Sequence, residues 1–520
     1  MSRYFFTLTC IFFILNISAQ KAEVELSELI KAKDEQYDKL LMRQGDALYS
    51  VGSESNKSKT KEFFVTKNSL EDFRKLEQWR FEGFEFRKNN TILWKSFGNK
   101  AGVHLLFTSF DKKEDRKYLL HRLVDLEGNL GPVKVLSQMV SDKEDSRKFI
   151  VSFSPDSSKT LVYNDINRDE EGQKPLVTVY DDQFEEVWSN RFSNPFRDEQ
   201  MFRPVSIKLS NSGRLFVLGY RARINESKRR ASETDQYGII SLYDDEIKIH
   251  DLKPLGKIIH MIGMQPDVNG KLTVVGLYSE DVDSHISGSL CLTFDQDDLE
   301  PLESQTRPFS EEFLSNFNFD NFRLIGNLKG MFSKVARSAK PGFEAFGFNE
   351  FLTHDDGGLT AVASRHYVEH TMSQGIAWTY HYFDEILIMH FNYDGSMDWI
   401  SLVPRQQSLT EDDYIGYFYL QMEGDNLHVI LNDNHENEER VANGEEMLRF
   451  TGSGTSNLAT VHLTFDINSG EWTYKTLTMA KQVDKTFAVP VETIRTGEKK
   501  AVGVYKDPAG TQLRFVRYHF

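Results

Sequence analysis

Six times along the chain an alternating apolar run reaches a polar turn, and a second apolar run follows at once. These turns centre on Ser154–Ser158, Leu209–Gly213, Pro266–Gly270, His354–Gly358, Glu423–Asn426 and Thr496–Glu498. A second series of turns lies between them, at Asp125–Gly128, Asp181-Asp182, Asp244-Asp245, Asp295–Asp298, Asp394-Gly395 and Asn468–Gly470. Runs that alternate with period two and are broken by Asp, Asn, Ser and Gly predict antiparallel strands joined by tight turns. Phe149–Phe192 is the clearest unit. Its predicted strands are Phe149–Phe153, Thr160–Tyr163, Leu176–Tyr180 and Glu186–Phe192, a four-stranded meander.

The same order is traceable over residues 80–137, 202–256, 261–309, 344–407 and 414–479, with three-strand remnants near 46–78 and 487–520. Repetition of a four-stranded unit every ~50 to ~100 residues predicts an all-β protein, a single β-propeller of seven or eight four-stranded blades. The count depends on whether the two termini share a blade, which would close the ring. Two segments depart from the β pattern. Residues 20–45 form a charged stretch in which Leu26, Leu29, Ile30, Tyr37, Leu40 and Leu41 fall near helical spacing. Residues 310–343 place Phe313, Leu314, Phe317, Leu324, Leu328, Met331, Phe332 and Val335 on an amphipathic pattern, a small helical insert that would act as a lid or as a packing cap. The propeller itself is expected over 46–520.

Phe149–Asp165 resembles the Phe-Ser-Pro-Asp-Gly-Lys hairpin of TolB-like propeller repeats, with Ser158 where the glycine would stand. Phe309–Leu314, Asp355–Gly358, Asp394–Trp399, Pro404–Gln406 and Asn432–Asn434 together resemble uncharacterised exported β-propeller proteins of Bacteroidota. The resemblance implies fold and location and assigns no activity.

Labelling each blade's strands A to D, the A–B and C–D turns are short, while the B–C and D–A connections are long: 164–174, 222–236, 279–286, 310–343, 364–385 and 432–457. In a meander, alternate connections leave at opposite ends of the strands, so the long loops are expected on one face.

Residues 1–19 read as a secretory signal: Arg3, an apolar run over Tyr4–Ile17, then Ser18-Ala19 before Gln20. Loss of Arg3 would move the net charge from −16 to −17, an acidity that disfavours nucleic acid and anionic lipid as partners. No later run approaches a membrane-spanning helix, so the chain is not expected to be an integral membrane protein; the terminal alternation Val516–Phe520 does resemble an outer-membrane barrel strand. Export to the periplasm, the cell surface or the medium is expected. Only Cys291 would survive cleavage, which excludes an intrachain disulfide, and its strand context predicts a buried apolar role.

Candidate chemistry lies in the loops. Asp165, Asn167, Asp169 and Glu171 alternate as oxygen ligands for calcium do, although Glu170 and Leu176 replace the turn glycine and closing Glu; a solvated acidic loop has the same composition. His366, His370, His381 and Asp384 could gather a metal, while Trp378 and neighbouring tyrosines suit stacking on a sugar or peptide; packing within a long hairpin accounts for the same residues. Arg405 could clamp an anion or pair with Glu411, Asp412 or Asp413. Asp433 and His435 sit in an Asn/Asp-rich stretch that also reads as turn chemistry. There is no Gly-x-Ser-x-Gly, His-Glu-x-x-His, phosphate-cradling loop or Cys-x-x-Cys. These readings favour a non-catalytic exported binding or scaffold propeller using the loop face, with an envelope protein, peptide or glycan as partner. The alternative is a hydrolase acting on a glycan or peptide at that face.

Overall fold

The computed structural model describes residues 23–520 apart from 32–38, 57–58, 141–148, 165–175, 192–199, 224–235, 253–256, 281–286, 310–345, 355, 374–375, 411–412, 446, 452–455 and 509. Its strands pair antiparallel into eight successive blades of one β-propeller. Blade 1 is built from Lys39–Gln44, Ala47–Asn56, Lys59–Ser69 and Lys75–Glu82, and blade 2 from Asn89–Asn99, Gly102–Asp111, Arg116–Val124 and Lys134–Val140. Blade 3 comprises Phe149–Phe153, Thr160–Asn164, Leu176–Tyr180 and Glu186–Arg191. Blade 4 comprises Gln200–Leu209, Leu215–Arg223, Gln236–Tyr243 and Glu246–Leu252. Blade 5 follows with Ile258–Pro266, Lys271–Ser279, Gly288–Asp295 and Pro301–Pro308. Blade 6 has Phe346–Thr353, Leu359–Ser373, Ile376–Phe391 and Met397–Val403, and blade 7 has Phe418–Glu423, Asn426–Asn434, Leu458–Asp466 and Trp472–Met479.

Blade 8 closes the ring. Its inner edge, Ile494–Gly497 with Phe487–Ala488, pairs with Lys500–Lys506, which pairs with Gln512–His519. The outer strand comes from the other end of the chain: Glu23–Leu26 lies antiparallel to Val516–His519, and Ile30-Lys31 pairs with Gln512-Leu513. The helical spacing expected over 20–45 therefore gives strands, at Glu23–Leu26, Ile30–Lys31 and Lys39–Gln44. The short alternation Glu-Val-Glu-Leu meets an open sheet edge, and the ladder formed there outweighs local helical preference. Lys39–Gln44 also completes blade 1, so neither terminal remnant stays three-stranded. The helical insert expected over 310–343 lies outside the described residues. Among the described residues the one α-helix is Asn437–Ala442.

The middle strands of each blade are covered on both faces by neighbouring blades, which explains their nearly continuous apolar runs. Val103–Phe107 and Leu427–Leu431 are buried throughout. The innermost strands of successive blades approach one another and line the axis. In several of them the ladder slips by one residue, at Leu41, Trp94, Val205, His260 and Asn349.

The two turn series are held by the Asp side chains that mark them in the sequence. Asp125 accepts from the backbone N–H of Glu127 and Asn129 at 3.1 and 2.7 Å, and Asp181, Asp267 and Asp466 repeat this contact two residues on at 2.9, 2.8 and 2.9 Å. Tryptophans on outer strands latch onto the next blade's turns. Trp188 donates to the Gly213 carbonyl at 2.8 Å and Trp399 to that of Ile467 at 2.6 Å. Gly128 has a φ of +87°, and a Cβ there would lie 2.2 Å from the Trp79 indole. Gly128→Ala is therefore expected to cost about 1–3 kcal/mol through backbone strain and displacement of Trp79, seen as a lowered urea midpoint with an unchanged slope. Cys291 is buried in blade 5, and burial pushes its thiol up to about 12, so it packs as a small apolar side chain.

Candidate functional site

Blade 6 departs from its neighbours. Its second and third strands, Leu359–Ser373 and Ile376–Phe391, are 15 and 16 residues long. The stretch 364–385, expected as a loop, is instead the upper part of this continuous hairpin, with Ser373 paired to Ile376 at its tip. Tyr, Val, Thr and Trp residues on both arms favour extended backbone, and the ladder continues beyond the sheet. The first strand covers only the lower part, with Phe346 opposite Arg365. On the other side Gln407–Thr410 pairs with Tyr380–Phe383, and Phe450-Thr451 runs parallel beside it. The hairpin rises at the end of the blades from which the B–C and D–A connections leave.

At its base the rings form a column. His381 stacks on His366, with centroids 5.7 Å apart and planes 11° apart, and His366 stacks on Phe383 at 4.3 Å. Below them the Arg405 guanidinium lies 5.5 Å from the Phe383 centroid. Two imidazoles stacked face to face direct their in-plane nitrogens alongside each other and not toward one point, which suits stacking better than shared metal ligation. Among the described residues, no group of three or more His, Cys, Asp or Glu side chains could hold a metal ion.

Arg405 is almost fully buried between blades 6 and 7. It donates to Gln407 Oε1 at 2.8 Å and to the Gly416 carbonyl, and Gln407 Nε2 donates to the Asn432 carbonyl. Asn432 Nδ2 reaches the Ile415 and Ala488 carbonyls at 3.2 and 2.8 Å, and its Oδ1 accepts from Thr460 at 3.2 Å. Asp433 accepts from the Asn434 N–H at 2.8 Å, Asn437 Nδ2 at 3.1 Å and the Tyr474 hydroxyl at 2.8 Å. Burial lowers Arg405 to about 10, against the opposing attraction of Asp433 and Asp384. Burial likewise raises Asp433, and its hydrogen bonds and the Arg405 charge offset part of that rise. Beside this seam, buried Arg365 approaches Glu385 at 3.6 Å. Burial, and then the Asp384 charge, raise the Glu385 carboxyl.

The structure thus brings five of the sequence candidates, His366, His381, Asp384, Arg405 and Asp433, into one region. The two histidines stand half-buried above, and the three charged groups are buried below. Asp433 belongs to a buried strand end and not to the loop expected from 432, since Asn426–Asn434 is continuous strand. His435 follows half-buried, its N–H bonded to the Asn457 carbonyl at 2.9 Å. His370 and Trp378 lie on the hairpin arms, paired with Thr379 and Thr371; their side chains are outside the described residues, as are those of Glu411, Asp412 and Asp413. The expected calcium loop, Asp165, Asn167, Asp169 and Glu171, also lies outside them. The buried hydrogen-bonding roles of Gln407, Asn432 and Tyr474 are not among the sequence expectations. The available signal was an Asn-Asp-Asn run continuing an apolar strand without a glycine, which marks buried polar partners better than a turn.

Two histidine pairs far from the hairpin were also unforeseen. His104 Nδ1 lies 2.9 Å from His121 Nε2, and His428 Nδ1 lies 3.0 Å from His462 Nε2. In both pairs one histidine stands near the start of a second strand and the other at or beyond the middle of the third, and all four are buried. Burial lowers His104 and His428 to about 4. It lowers His121 and His462 to about 3, with a further push from the paired imidazole. Below the ordinary value near 6.5, the unfolded chain takes up protons that the folded pairs refuse. Stability is then complete above pH ~6.5 and is lost as pH falls toward 4 and 3. A histidine held at about 4 corresponds to about 3 kcal/mol once that window is crossed. Urea midpoints measured from pH 7.5 down to 4.5 should therefore fall, and fall less steeply in His428→Leu/His462→Leu. A flat parent profile would remove this account.

Strand pairing alone defines the class of protein, an eight-bladed β-propeller carrying one elongated hairpin. No protein-family model and no curated protein matches the chain in sequence. Among solved structures, a europium-containing methanol dehydrogenase is similar at 10% identity and TM-score 0.41, over 96% of this chain and 93% of that one. Sqt1 of Saccharomyces cerevisiae is similar at 10% identity and TM-score 0.36, over 92% and 97%. A puromycin-hydrolyzing peptidase of Mycobacterium tuberculosis is similar at 11% identity and TM-score 0.33, over 92% of this chain and 60% of that chain.

Proposed function

We propose that the chain is an exported, non-catalytic binding or scaffold protein of the periplasm or cell surface, and that it takes its partner on the face formed by the B–C and D–A connections. The observation that carries the reading is the blade 6 hairpin. It extends beyond the sheet at that face, carries His366 and His381 in a half-buried stack, and stands on a buried seam in which Arg405, Gln407, Asn432 and Asp433 are hydrogen-bonded. A rigid base under an aromatic and histidine-rich arm supports recognition of an envelope protein, peptide or glycan by stacking and hydrogen bonding. Affinity capture from envelope extract with the parent chain, and with a chain in which residues 368–379 are replaced by a two-residue turn, tests it. Loss of the captured partner in the shortened chain is expected; equal capture by both chains, or no partner specific to the parent, overturns it.

The raised Glu385 carboxyl, influenced by Asp384 and 3.6 Å from Arg365, favours a second reading, a hydrolase acting on a glycan or peptide at this face. Turnover in a broad glycan and peptide hydrolysis screen, abolished by His366→Ala or Asp384→Ala, would establish it in place of the first.

A further inference from the structure

The axial wall is chemically uneven. Trp94, Ile150 and Val205 stand on the innermost strands of three consecutive blades, 2, 3 and 4, and are 39%, 38% and 46% exposed. Trp94 and Val205 are the extra residues where their ladders slip, so the backbone there turns the side chain away from the neighbouring blade. Single exposed apolar residues are ordinary, but one on the innermost strand of each of three consecutive blades offers an apolar strip along the inner wall. Trp188 and Trp399 are bonded into turns; among the described residues the Trp94 indole N–H meets no acceptor.

Positive charge lies beside this strip. Lys95 follows Trp94, and its ammonium group donates to the Val151 carbonyl at a long 3.4 Å and lies 5.7 Å from the Phe153 centroid. Lys39 opens the innermost strand of blade 1, which touches that of blade 2. Among the described residues neither lysine has a carboxylate within ion-pair distance, in a chain of net charge −16. Burial, and then the Lys39 charge, lower Lys95. Farther round the wall Lys208 differs, since it lies 5.3 Å from the Phe351 centroid and feels the Glu350 carboxylate. Among the described residues, the lysines of the wall that have no carboxylate nearby are therefore those of blades 1 and 2.

We propose that the axial channel beside blades 1 to 4 binds a small organic anion with a flat apolar body, which lies on Trp94, Ile150 and Val205 and sets its acid group between Lys39 and Lys95. The anion supplies the counter-charge that no described residue gives the two lysines, and its apolar body removes the exposed strip from water. This site is independent of the hairpin and of the partner assigned to it.

The probe is 8-anilinonaphthalene-1-sulfonate, an aromatic ring system with one anionic group, titrated into the folded chain at neutral pH by calorimetry. One saturable site per chain is expected. Lys95→Met and Trp94→Ala should each weaken it by about ten-fold or more, and Lys95→Arg should stay within about three-fold. Val135→Ala, an exposed change on the outer strand of blade 2, should leave it unchanged. Val205→Ser provides a second test of the apolar strip should Trp94→Ala fail to fold. Absence of saturable binding overturns the proposal, as does binding that Lys95→Met and the strip variants leave intact, or that Val135→Ala weakens equally.

Discussion

A chain beginning at residue 32 is expected to lose roughly 5 kcal/mol of stability against one beginning at residue 20, and to self-associate. The removed segment carries the outer strand of blade 8, where Glu23–Leu26 pairs with Val516–His519 and the Ser27 N–H bonds to the Phe515 carbonyl at 3.0 Å. Val24 and Leu26 pack on the core cluster of Tyr505, Val516 and Tyr518, and Ile30 on that of Leu513 and Phe515. Three partly buried apolar side chains contribute about 1 kcal/mol each, and the ladder bonds and the Arg517–Glu25 ion pair add the remainder. Without the segment, Gln512–His519 becomes an open edge available to a second chain. Urea unfolding and sedimentation report both effects. A synthetic peptide of residues 20–31 should restore the midpoint and return the chain to monomer. An unchanged midpoint in the shortened chain would show that the ring does not depend on this strand.

The second large effect is expected in the seam between blades 6 and 7. Arg405→Ala should cost about 3–5 kcal/mol, because it leaves the Gly416 carbonyl and Gln407 without their donor and Asp433 without its compensating charge. Arg405→Met should cost less, since it fills the space against Phe383 without a buried charge. Tyr474→Phe removes one bond to Asp433 and should cost about 1–2 kcal/mol. In the double variant Arg405→Ala/Asp433→Ala the two losses should not add, because the second removes a charge the first has already stranded. Additive losses in urea unfolding would show that the two residues stabilise the seam separately.

Much of the fold is legible in the residues. Asp or Ser at the head of many turns, Gly at several positions of positive φ and apolar alternation on both sides fix strand–turn–strand units locally, and in blade 3 the strand limits expected from the sequence coincide with the observed ones to within a residue or two. These signals are short-range: an Asp side chain bonds its own backbone two residues on, whatever the rest of the chain does. The four-strand grouping and the assignment of Cys291 to a core follow from the same pattern.

The rest depends on partners distant in sequence. Glu23–Leu26 has no strand character of its own beyond two alternations, and becomes a strand because an unpaired edge nearly 500 residues away offers it a ladder. The blade count of eight follows from that pairing, which the sequence left between seven and eight. Residues 364–385 read as a loop because histidines and polar residues interrupt the alternation, but each arm supplies the other's hydrogen bonds, so the hairpin persists beyond the sheet. Arg405, Asp384 and Asp433 looked like surface ligands because charge usually means solvent. Only the meeting of two blades buries them, and it gives Arg405 a carbonyl and an amide oxygen and Asp433 an amide and a tyrosine. Strands, turns and the repeating blade follow from residues close together in the chain; ring closure, the structural polar residues and the side chains that face the axis follow only from how the blades pack. Local hydrogen bonding specifies the unit, and packing between units specifies everything that depends on more than one of them.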